Sequence, residues 1–239
     1  MITGIIVALP EELTTLTKGK LNKGETLALS GSILLGYSGA GPDNARLAAE
    51  QLIAQGATGL ISWGCAAALQ DNLKPGDLVL ASELIAESGA IYQCDPKWQQ
   101  HINNLFCNRL QINLENLAES SKLVSTSEQK QSLQRLTGAA IVDMESAAIA
   151  KIAAEQEIPF IAIRSIADSV QMDLPDAVAV SLDASGVVQL PKLLKHLLTH
   201  PNEVPSLIRL GQSFSAAKKT LCRVAEQLAI ISDFQSIEP

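Results

Sequence analysis

Asp168 is an acid at the end of a strongly apolar stretch, residues 159–167. If this stretch is a strand, the carboxyl group lies at the rim of a sheet and is partly removed from water. Partial burial raises the pKa of a carboxyl group, and a raised pKa suits a general acid. A simple turn residue is the alternative interpretation, and Asp168 alone does not separate the two.

Two further groups of acids stand at junctions of the same kind, where an apolar stretch meets a helical pattern. Asp143 and Glu145 flank Met144, and Glu11 and Glu12 follow a short apolar run. Each group also has an ordinary structural explanation, as a helix N-cap or as negative charge in a first helical turn. Together, the acids would supply several carboxylates on one rim of one sheet.

Glycines near these acids offer room for a ligand. Residues 38–41, Ser-Gly-Ala-Gly, precede a helical pattern and suggest an anion-binding loop. A dinucleotide-binding loop would need a third glycine where Asn44 stands. It would also need an acid at the end of the next strand, which instead ends at Trp63. The sequence therefore argues against NAD binding.

Strand and helix patterns alternate along the chain. Strand patterns cover residues 3–9, 32–37, 58–63, 77–82, 139–142 and 159–167. Helical patterns cover residues 43–55, 98–110, 128–136, 144–156, 190–198 and 204–231. Such alternation predicts an α/β fold with a largely parallel sheet covered by helices on both faces. Sheets of this kind bind ligands beyond the carboxyl ends of their strands.

Length and composition favour one α/β domain over residues 1–239, with a helical extension from about residue 176. The chain has 239 residues, 47% of them hydrophobic, and a formal net charge of −7 that is spread without a block. The lack of clustered Lys and Arg argues against nucleic-acid binding. No apolar run approaches the ~20 residues that span a bilayer. The first residues resemble a strand rather than a signal peptide, so a cytoplasmic location is expected.

The cysteines do not form a recognisable metal-binding pattern. Cys65, Cys94, Cys107 and Cys222 show no C-x-x-C spacing, and no histidine stands at ligand spacing from them. A zinc site is therefore not expected, and the thiols are expected to be reduced.

Six stretches carry a resemblance to a known family. They are residues 4–13 (GIIVALPEEL), 38–41 (SGAG), 61–66 (ISWGCA), 75–79 (PGDLV), 142–148 (VDMESAA) and 159–168 (PFIAIRSIAD). The chain resembles the purine nucleoside phosphorylase and uridine phosphorylase superfamily, in its methylthioadenosine/S-adenosylhomocysteine nucleosidase branch. The resemblance implies a three-layer α/β/α fold with a central mixed, largely parallel sheet. It also implies cleavage of a purine nucleoside without a metal or organic cofactor, with phosphate as a possible co-substrate, by a homodimer.

The resemblance assigns catalytic roles to two of the acids. Asp168 matches the acid that protonates N7 of the leaving purine, and Glu12 matches the glutamate that orients the attacking water. These residue types suit the chemistry, because the leaving base must be neutralised by a proton. The oxocarbenium-like sugar also needs negative charge nearby.

The resemblance also implies a set of substrate-binding residues. Glu145 matches the acid that holds the ribose hydroxyls, and Met144 matches the residue that packs on the sugar. Cys65 and Ala66 fall where the family lines the sugar and base pocket. Gly41 of the glycine-rich loop completes this expected set.

The chain departs from the family near these residues. The family's Gly-Ser-Ala-Gly-Gly turn is replaced by Gly-Cys-Ala-Ala-Ala at residues 64–68, and Ala167 stands where a serine usually orients the acid. No aromatic residue occurs between Phe106 and Phe160, where the family usually carries one that stacks on the base. These departures keep a non-catalytic nucleoside-binding protein open as an alternative.

The nucleophile is either water or phosphate. Classical phosphorylases of the superfamily hold phosphate with arginines, and Ser62 stands where one of these is expected. Arg46, Arg164 or a neighbouring subunit could supply the missing charge, whereas the retained Glu12 favours water. The resemblance gives a slight preference for phosphorolysis, because the chain is closest to the hopanoid-associated phosphorylases.

The hopanoid-associated group also resembles this chain beyond residue 170, at residues 182–186 (LDASG) and 204–210 (VPSLIRL). It implies adenosylhopane, an adenine nucleoside with a polycyclic lipid, as the substrate. Such a substrate needs an apolar mouth, which we expect a loop over residues 174–188 to form. Candidate lining residues are Val178, Val180, Leu182, Val187, Val188, Leu190, Leu193, Leu194 and Leu197. Packing of the last helices on the sheet is the alternative interpretation of residues 190–197.

Overall fold

The computed structural model describes residues 2–107, 109–181 and 189–233. The strands in these ranges are β1 (Thr3–Val7), β2 (Thr26–Ser30), β3 (Ile33–Tyr37), β4 (Gly59–Ala68), β5 (Leu78–Ile85), β6 (Ile91–Gln93), β7 (Ile112–Glu119), β8 (Ile141–Asp143) and β9 (Phe160–Asp168). The helices are α1 (Pro10–Leu16), α2 (Pro42–Ala54), α3 (Pro96–Phe106), α4 (Ser127–Thr137), α5 (Ser146–Glu155), α6 (Asp176–Ser181), α7 (Leu190–Thr199), α8 (Val204–Ala225) and α9 (Leu228–Ile231). A 3-10 turn, Pro201–Glu203, joins α7 to α8.

The described strands form one mixed sheet. Its order is β2-β3-β1-β4-β8-β7-β5-β6, and β9 pairs with both β4 and β5. Five pairs are parallel: β1–β3, β1–β4, β4–β9, β5–β7 and β7–β8. The pairs β2–β3, β4–β8, β5–β6 and β5–β9 are antiparallel. The predicted central mixed sheet is confirmed, with parallel pairs in a narrow majority.

The last residues of β4 lie where three strands meet. Ala67 pairs with Val142 of β8 on one side and with Asp168 of β9 on the other. Since β8 pairs with β7, β7 with β5 and β5 with β9, these strands and β4 form a closed path. The closure brings the ends of β8 and β9, and the acids they carry, to the end of β4.

Helices cover both faces of the sheet, which gives the predicted three layers. One face packs against α2 and α5, through small and aliphatic residues such as Ala49, Leu52 and Ala150. The other face packs against α1, α3 and α8, through Leu13 and Leu221 among others. Burying these apolar surfaces supplies the main driving force for the fold.

Strand β4 is longer than the sequence pattern indicates. Its predicted end at Trp63 is wrong, because the small residues 64–68 continue the strand instead of forming a turn. Pairing explains this: residues 64–67 continue along β9 beyond the point where β1 ends, and Ala67 and Ala68 pair with β8. Neighbouring strands therefore override the weak strand preference of glycine and alanine.

Three strands and one helix lie outside the predicted patterns. Strands β2, β6 and β7 have few consecutive apolar residues and were not predicted. The loop expected over residues 174–188 is wrong for its first part, which forms helix α6. The Glu203 carboxylate accepts a hydrogen bond of 2.8 Å from the Ala177 N–H, and this distant cap is invisible in the local sequence. Residues 182–188 lie outside the described residues.

Residues near the end of the described chain are hydrogen-bonded to β1 and to α3. The Thr3 hydroxyl donates a hydrogen bond of 2.8 Å to the Ser232 carbonyl, and the Trp98 indole donates one of 2.7 Å to the Ile231 carbonyl. Thr3 and Trp98 are both fully buried. No helix among the described residues combines the length and the apolar character needed to cross a bilayer.

Candidate active site

Glu12 is fixed by three backbone N–H groups. It lies in the first turn of α1, which begins at Pro10, and it is buried. One carboxylate oxygen accepts hydrogen bonds from Ala8 and Leu9, at 3.1 and 3.0 Å, and the other accepts from Cys65, at 2.8 Å. Burial raises the pKa of Glu12, while Arg164 and the three N–H groups act in the opposite direction. The Glu12 carboxylate therefore contacts β4 in its second half, at Gly64 and Cys65.

Gly64 is required by the position of that carboxylate. A Cβ atom at residue 64 would collide with the Glu12 carboxyl group. The glycine that the sequence retains in the 64–68 segment is thus the one that lets Glu12 lie directly on the strand. The alanines at 67 and 68 occupy positions where the chain is an ordinary paired strand.

Glu145 lies between β8 and α5 and reaches the glycine-rich loop. Its Oε1 accepts a hydrogen bond of 2.8 Å from the Gly41 N–H. Gly41 has φ of 100°, a left-handed conformation that favours glycine. Burial, and then the charge of Asp143, raises the pKa of Glu145 to about 8. Hydrogen bonds donated by sugar hydroxyls to this group would favour its ionised form.

Asp143 acts as a structural anchor beneath Glu145. Its Oδ1 accepts from the N–H groups of Glu145 and Ser146, which caps helix α5. The helix therefore begins at Ser146, and its predicted start at Met144 is wrong by two residues. Met144 lies between the two acids and is partly exposed.

Arg164 is held inside the protein by a polar network. Its guanidinium donates to Asp143 Oδ2 at 2.7 Å, to the Ile163 carbonyl at 3.0 Å, and to the hydroxyls of Ser62 and Ser146 at 2.5 and 2.7 Å. These bonds use four of its five N–H groups. Only 3% of the residue is exposed.

This buried guanidinium balances several acids at once. Burial opposes its charge, but Asp143 and then Glu12 and Glu145 raise the pKa of Arg164. In return, Arg164 opposes the upward shift in the pKa of both Glu12 and Glu145. The charge of Arg164 therefore makes it less unfavourable to bury several carboxylates together.

Asp168 is buried and paired with a lysine that the sequence did not indicate. The Lys130 ammonium, on α4, donates to Asp168 Oδ2, and its side chain is fully buried. Burial raises the pKa of Asp168, while Lys130 acts in the opposite direction. The sequence offers no signal for this pair, because a lysine in a polar helix is ordinarily exposed.

The remaining predicted binding residues lie along β4. Ala66 is buried and pairs with Ile166, while Cys65 is partly exposed and pairs with Ser165. Burial, and then the charge of Glu12, raises the pKa of the Cys65 thiol well above its ordinary value. The thiol is therefore neutral and suits a pocket wall better than a nucleophile.

The end of β4 thus gathers most of the predicted site. Glu12 contacts Cys65, Asp168 pairs with Ala67 in the strand register, and Glu145 follows the end of β8. The charge of Glu12 also raises the pKa of Glu145. Acids separated by more than 150 positions are therefore brought to one end of the sheet.

A separate group of potential metal ligands lies at the end of α7. Among the described residues, His196, His200 and Glu203 place one ligand atom each within 4.8 Å of one another. Glu203 already accepts from the Ala177 N–H, and its other oxygen lies 2.9 Å from His196 Nε2. The two imidazole rings stack with their centres 4.2 Å apart. These contacts fasten α6 to the α7–α8 turn without requiring an ion.

Comparison with known proteins gives one family and several structural relatives. A model described as "Phosphorylase superfamily" matches residues 3–185. A 5'-methylthioadenosine/S-adenosylhomocysteine nucleosidase of Buchnera aphidicola is 27% identical over 135 residues, which cover 49% of this chain and 54% of that protein. The alignment therefore spans only about half the length of this curated relative.

Two solved structures have the same fold. The first is the futalosine hydrolase of Helicobacter pylori, with a TM-score of 0.69 and 20% identity, covering 97% of each chain. The second is the 5'-methylthioadenosine/S-adenosylhomocysteine nucleosidase of Neisseria meningitidis in complex with methylthio-immucillin-A. It has a TM-score of 0.69 and 20% identity, covering 96% of this chain and 97% of that one.

Proposed function

The chain belongs to the phosphorylase superfamily, and on that basis we propose that it is an enzyme that cleaves the N-glycosidic bond of an adenine nucleoside. One observation carries this proposal: Glu12, Glu145 and Asp168 gather at the end of β4, where Arg164 balances the first two and Lys130 pairs with the third. A protein that only bound nucleosides would not need three acids gathered at one end of the sheet. The names of the curated and structural relatives support the same reaction class.

In this proposal each acid has a separate task. Asp168 protonates N7 of the base, so that the base leaves as a neutral molecule. Glu145 accepts hydrogen bonds from the ribose hydroxyls, and charge-assisted bonds of this kind are strong. Glu12 holds the attacking water and takes its proton. The buried negative charge also stabilises the cationic sugar as the bond breaks.

We propose water as the nucleophile, against the slight preference for phosphate in the sequence. Arg164 is buried and uses four N–H groups on protein acceptors, so it cannot also hold a phosphate. Arg46 is on α2, its side chain is 41% exposed, and it forms an ion pair of 2.6 Å with Glu50. Neither of these two candidate arginines is therefore placed to bind a phosphate co-substrate.

The nucleophile is tested by supplying 5'-methylthioadenosine with and without phosphate. We expect adenine release at a rate that does not depend on phosphate, with free methylthioribose as the other product. A rate that rises with phosphate, together with a sugar 1-phosphate product, would refute the hydrolytic proposal. Binding without any turnover would instead support the non-catalytic alternative.

A second candidate is a lipid-linked nucleoside such as adenosylhopane. Exposed apolar side chains on α6, α7 and α8 favour it: Val180 is 51% exposed, Leu194 62% and Ile208 57%. The exposure of Leu194 does not fit the alternative in which this residue packs on the sheet. Of the expected mouth residues, Leu182, Val187 and Val188 lie outside the described residues, as does the side chain of Leu190.

The lipid-linked candidate is tested with adenine nucleosides whose 5' substituents grow from methylthio to long alkylthio. If the apolar helices contact the substituent, affinity increases by ~25 cal/mol for each Å² of apolar surface buried. Val180→Asp and Leu194→Asp would then weaken only the long-chain substrates. Equal affinities along the series would contradict the lipid-linked candidate and favour adenine nucleosides with small 5' substituents as the substrates.

A further inference from the structure

Lys130 is a lysine in an unusual place. It lies in the first turns of α4 with its side chain fully buried, although Gln129 and Gln131 beside it are exposed. Its ammonium donates to Asp168 Oδ2, and to the carbonyls of Ser169 and Met172 at 2.8 Å each. Three acceptors thus match the three N–H groups of the ammonium. A buried charge is unfavourable unless it is paired in this way.

Other contacts already hold α4 to the segment that follows β9. The Ser127 N–H donates to Asp173 Oδ1 at 2.6 Å, and the Leu174 N–H donates to the Ser125 carbonyl at 2.7 Å. The start of α4 is also closed by a capping box between Thr126 and Gln129. Because these bonds join the same two segments, simple attachment does not explain a buried ammonium.

Resting on the proposed function, we propose that Lys130 is a positioning residue that holds Asp168 by Oδ2 and strengthens it as an acid, leaving Oδ1 to deliver the proton to the base. In the step, the proton on Oδ1 moves to N7 and the C1'–N9 bond breaks, with its electron pair passing to the base. The new Asp168 carboxylate is then balanced by the ammonium. Asp168 recovers a proton from water after the base has left.

The charges around Asp168 support this role. Burial raises the pKa of Asp168, and Lys130 is the described charged group that opposes the rise. Cys65, on the neighbouring strand β4, is a neutral thiol and adds no charge beside Asp168. Two other charged groups are bound elsewhere. Arg164, on the same strand as Asp168, donates to Asp143, and Asp173 accepts from the Ser127 N–H. Without the ammonium, the buried carboxyl would hold its proton too tightly to be an effective acid.

The proposal is tested with Lys130→Met, which keeps the length of the side chain and removes its charge. We expect kcat to fall by about tenfold or more, with a smaller change in KM. We also expect the alkaline limb of the pH–rate profile to move up by about one pH unit, because Asp168 stays protonated to higher pH. Lys130→Arg keeps the charge and should restore part of kcat and the original limb. Lys151→Met, at a site whose side chain is 55% exposed on α5, is the matched control.

The titration of Asp168 can be followed without turnover, by carbon NMR of protein labelled at aspartate carboxyl groups, with Asp168→Asn to assign the signal. We expect a higher titration midpoint in Lys130→Met than in the parent. If Lys130→Met does not fold, Lys130→Gln is titrated instead, since its amide can still donate to the carbonyls. A reduced kcat with an unmoved alkaline limb and an unmoved midpoint would overturn the proposal. If the parent cleaves no nucleoside, the proposed function fails while the NMR midpoints still decide whether Lys130 controls the acid.

Discussion

Replacing Glu145 with glutamine tests the electrostatics of the ribose-binding acid without relying on turnover. Burial, and then Asp143, raises the pKa of Glu145 from 4.5 to about 8. Between these pH values the folded protein keeps a proton that the unfolded chain releases. The native glutamate therefore destabilises the fold increasingly as the pH rises from about 4.5 to about 8, and glutamine, which cannot ionise, does not.

The expected gain in stability follows from the pKa shift of Glu145 and from the exposure of its side chain to solvent. One pKa unit corresponds to ~1.4 kcal/mol, so the full shift sets an upper limit of several kcal/mol. Glu145 is partly exposed, and solvent screening with local relaxation reduces that limit. Glutamine keeps an oxygen that can accept from the Gly41 N–H. We expect Glu145→Gln to be ~1–2 kcal/mol more stable than the parent above about pH 8, and nearly equal to it at about pH 4.5.

Urea unfolding at a series of pH values, followed by the fluorescence of the buried Trp63 and Trp98, measures this difference. Glu155→Gln is the control, because the Glu155 side chain is 53% exposed at the other end of α5. A Glu145→Gln variant that is equally or less stable at high pH would refute the argument that burial raises this pKa. In activity assays, the same variant should lose turnover on ribosides and distinguish them poorly from deoxyribosides.

Three further predictions concern the catalytic acid, the glycine under Glu12 and the assembly. Asp168→Asn should lower kcat by ~10²–10⁴ while leaving nucleoside binding nearly unchanged; near-parental turnover would show that Asp168 is not the general acid. Gly64→Ala should displace the Glu12 carboxylate, lowering kcat and destabilising the fold by ~1–3 kcal/mol in urea unfolding. Gly31→Ala is the control, because a Cβ atom there meets no atom within 4 Å and, as at Gly64, φ is not positive. We also expect a homodimer, and light scattering that gave a monomer at micromolar concentration would contradict it.

The architecture could be predicted because its signals are local. Apolar runs such as residues 159–167, and the alternation of strands and helices, depend on neighbouring residues. The α/β class and most helices therefore follow from the sequence alone. The acids at the strand ends could be identified for the same reason, since Asp168 directly follows such a run and Glu145 comes two residues after the end of β8.

The parts that were not predicted depend on contacts between distant segments. The length of β4 is set by β8 and β9, and helix α6 is capped by Glu203 from beyond α7. Lys130 becomes notable only when α4 is placed against the end of β9. Arg164 stands in an apolar run, but only the fold shows that Asp143 and two serines occupy its donors.

The tie between Thr3 and Ser232 also affects how the protein is made. The two residues are separated by 229 positions, so their hydrogen bond can form only after almost the whole described chain has left the ribosome. By then the segments that carry Glu12, Glu145 and Asp168 have all been synthesised. Contacts of such long range form slowly, because a large loop must close first. We therefore expect part of the apolar surface of β1 to stay exposed until the last described segment has been synthesised. Exposed apolar surface of this kind promotes aggregation, which chaperones prevent.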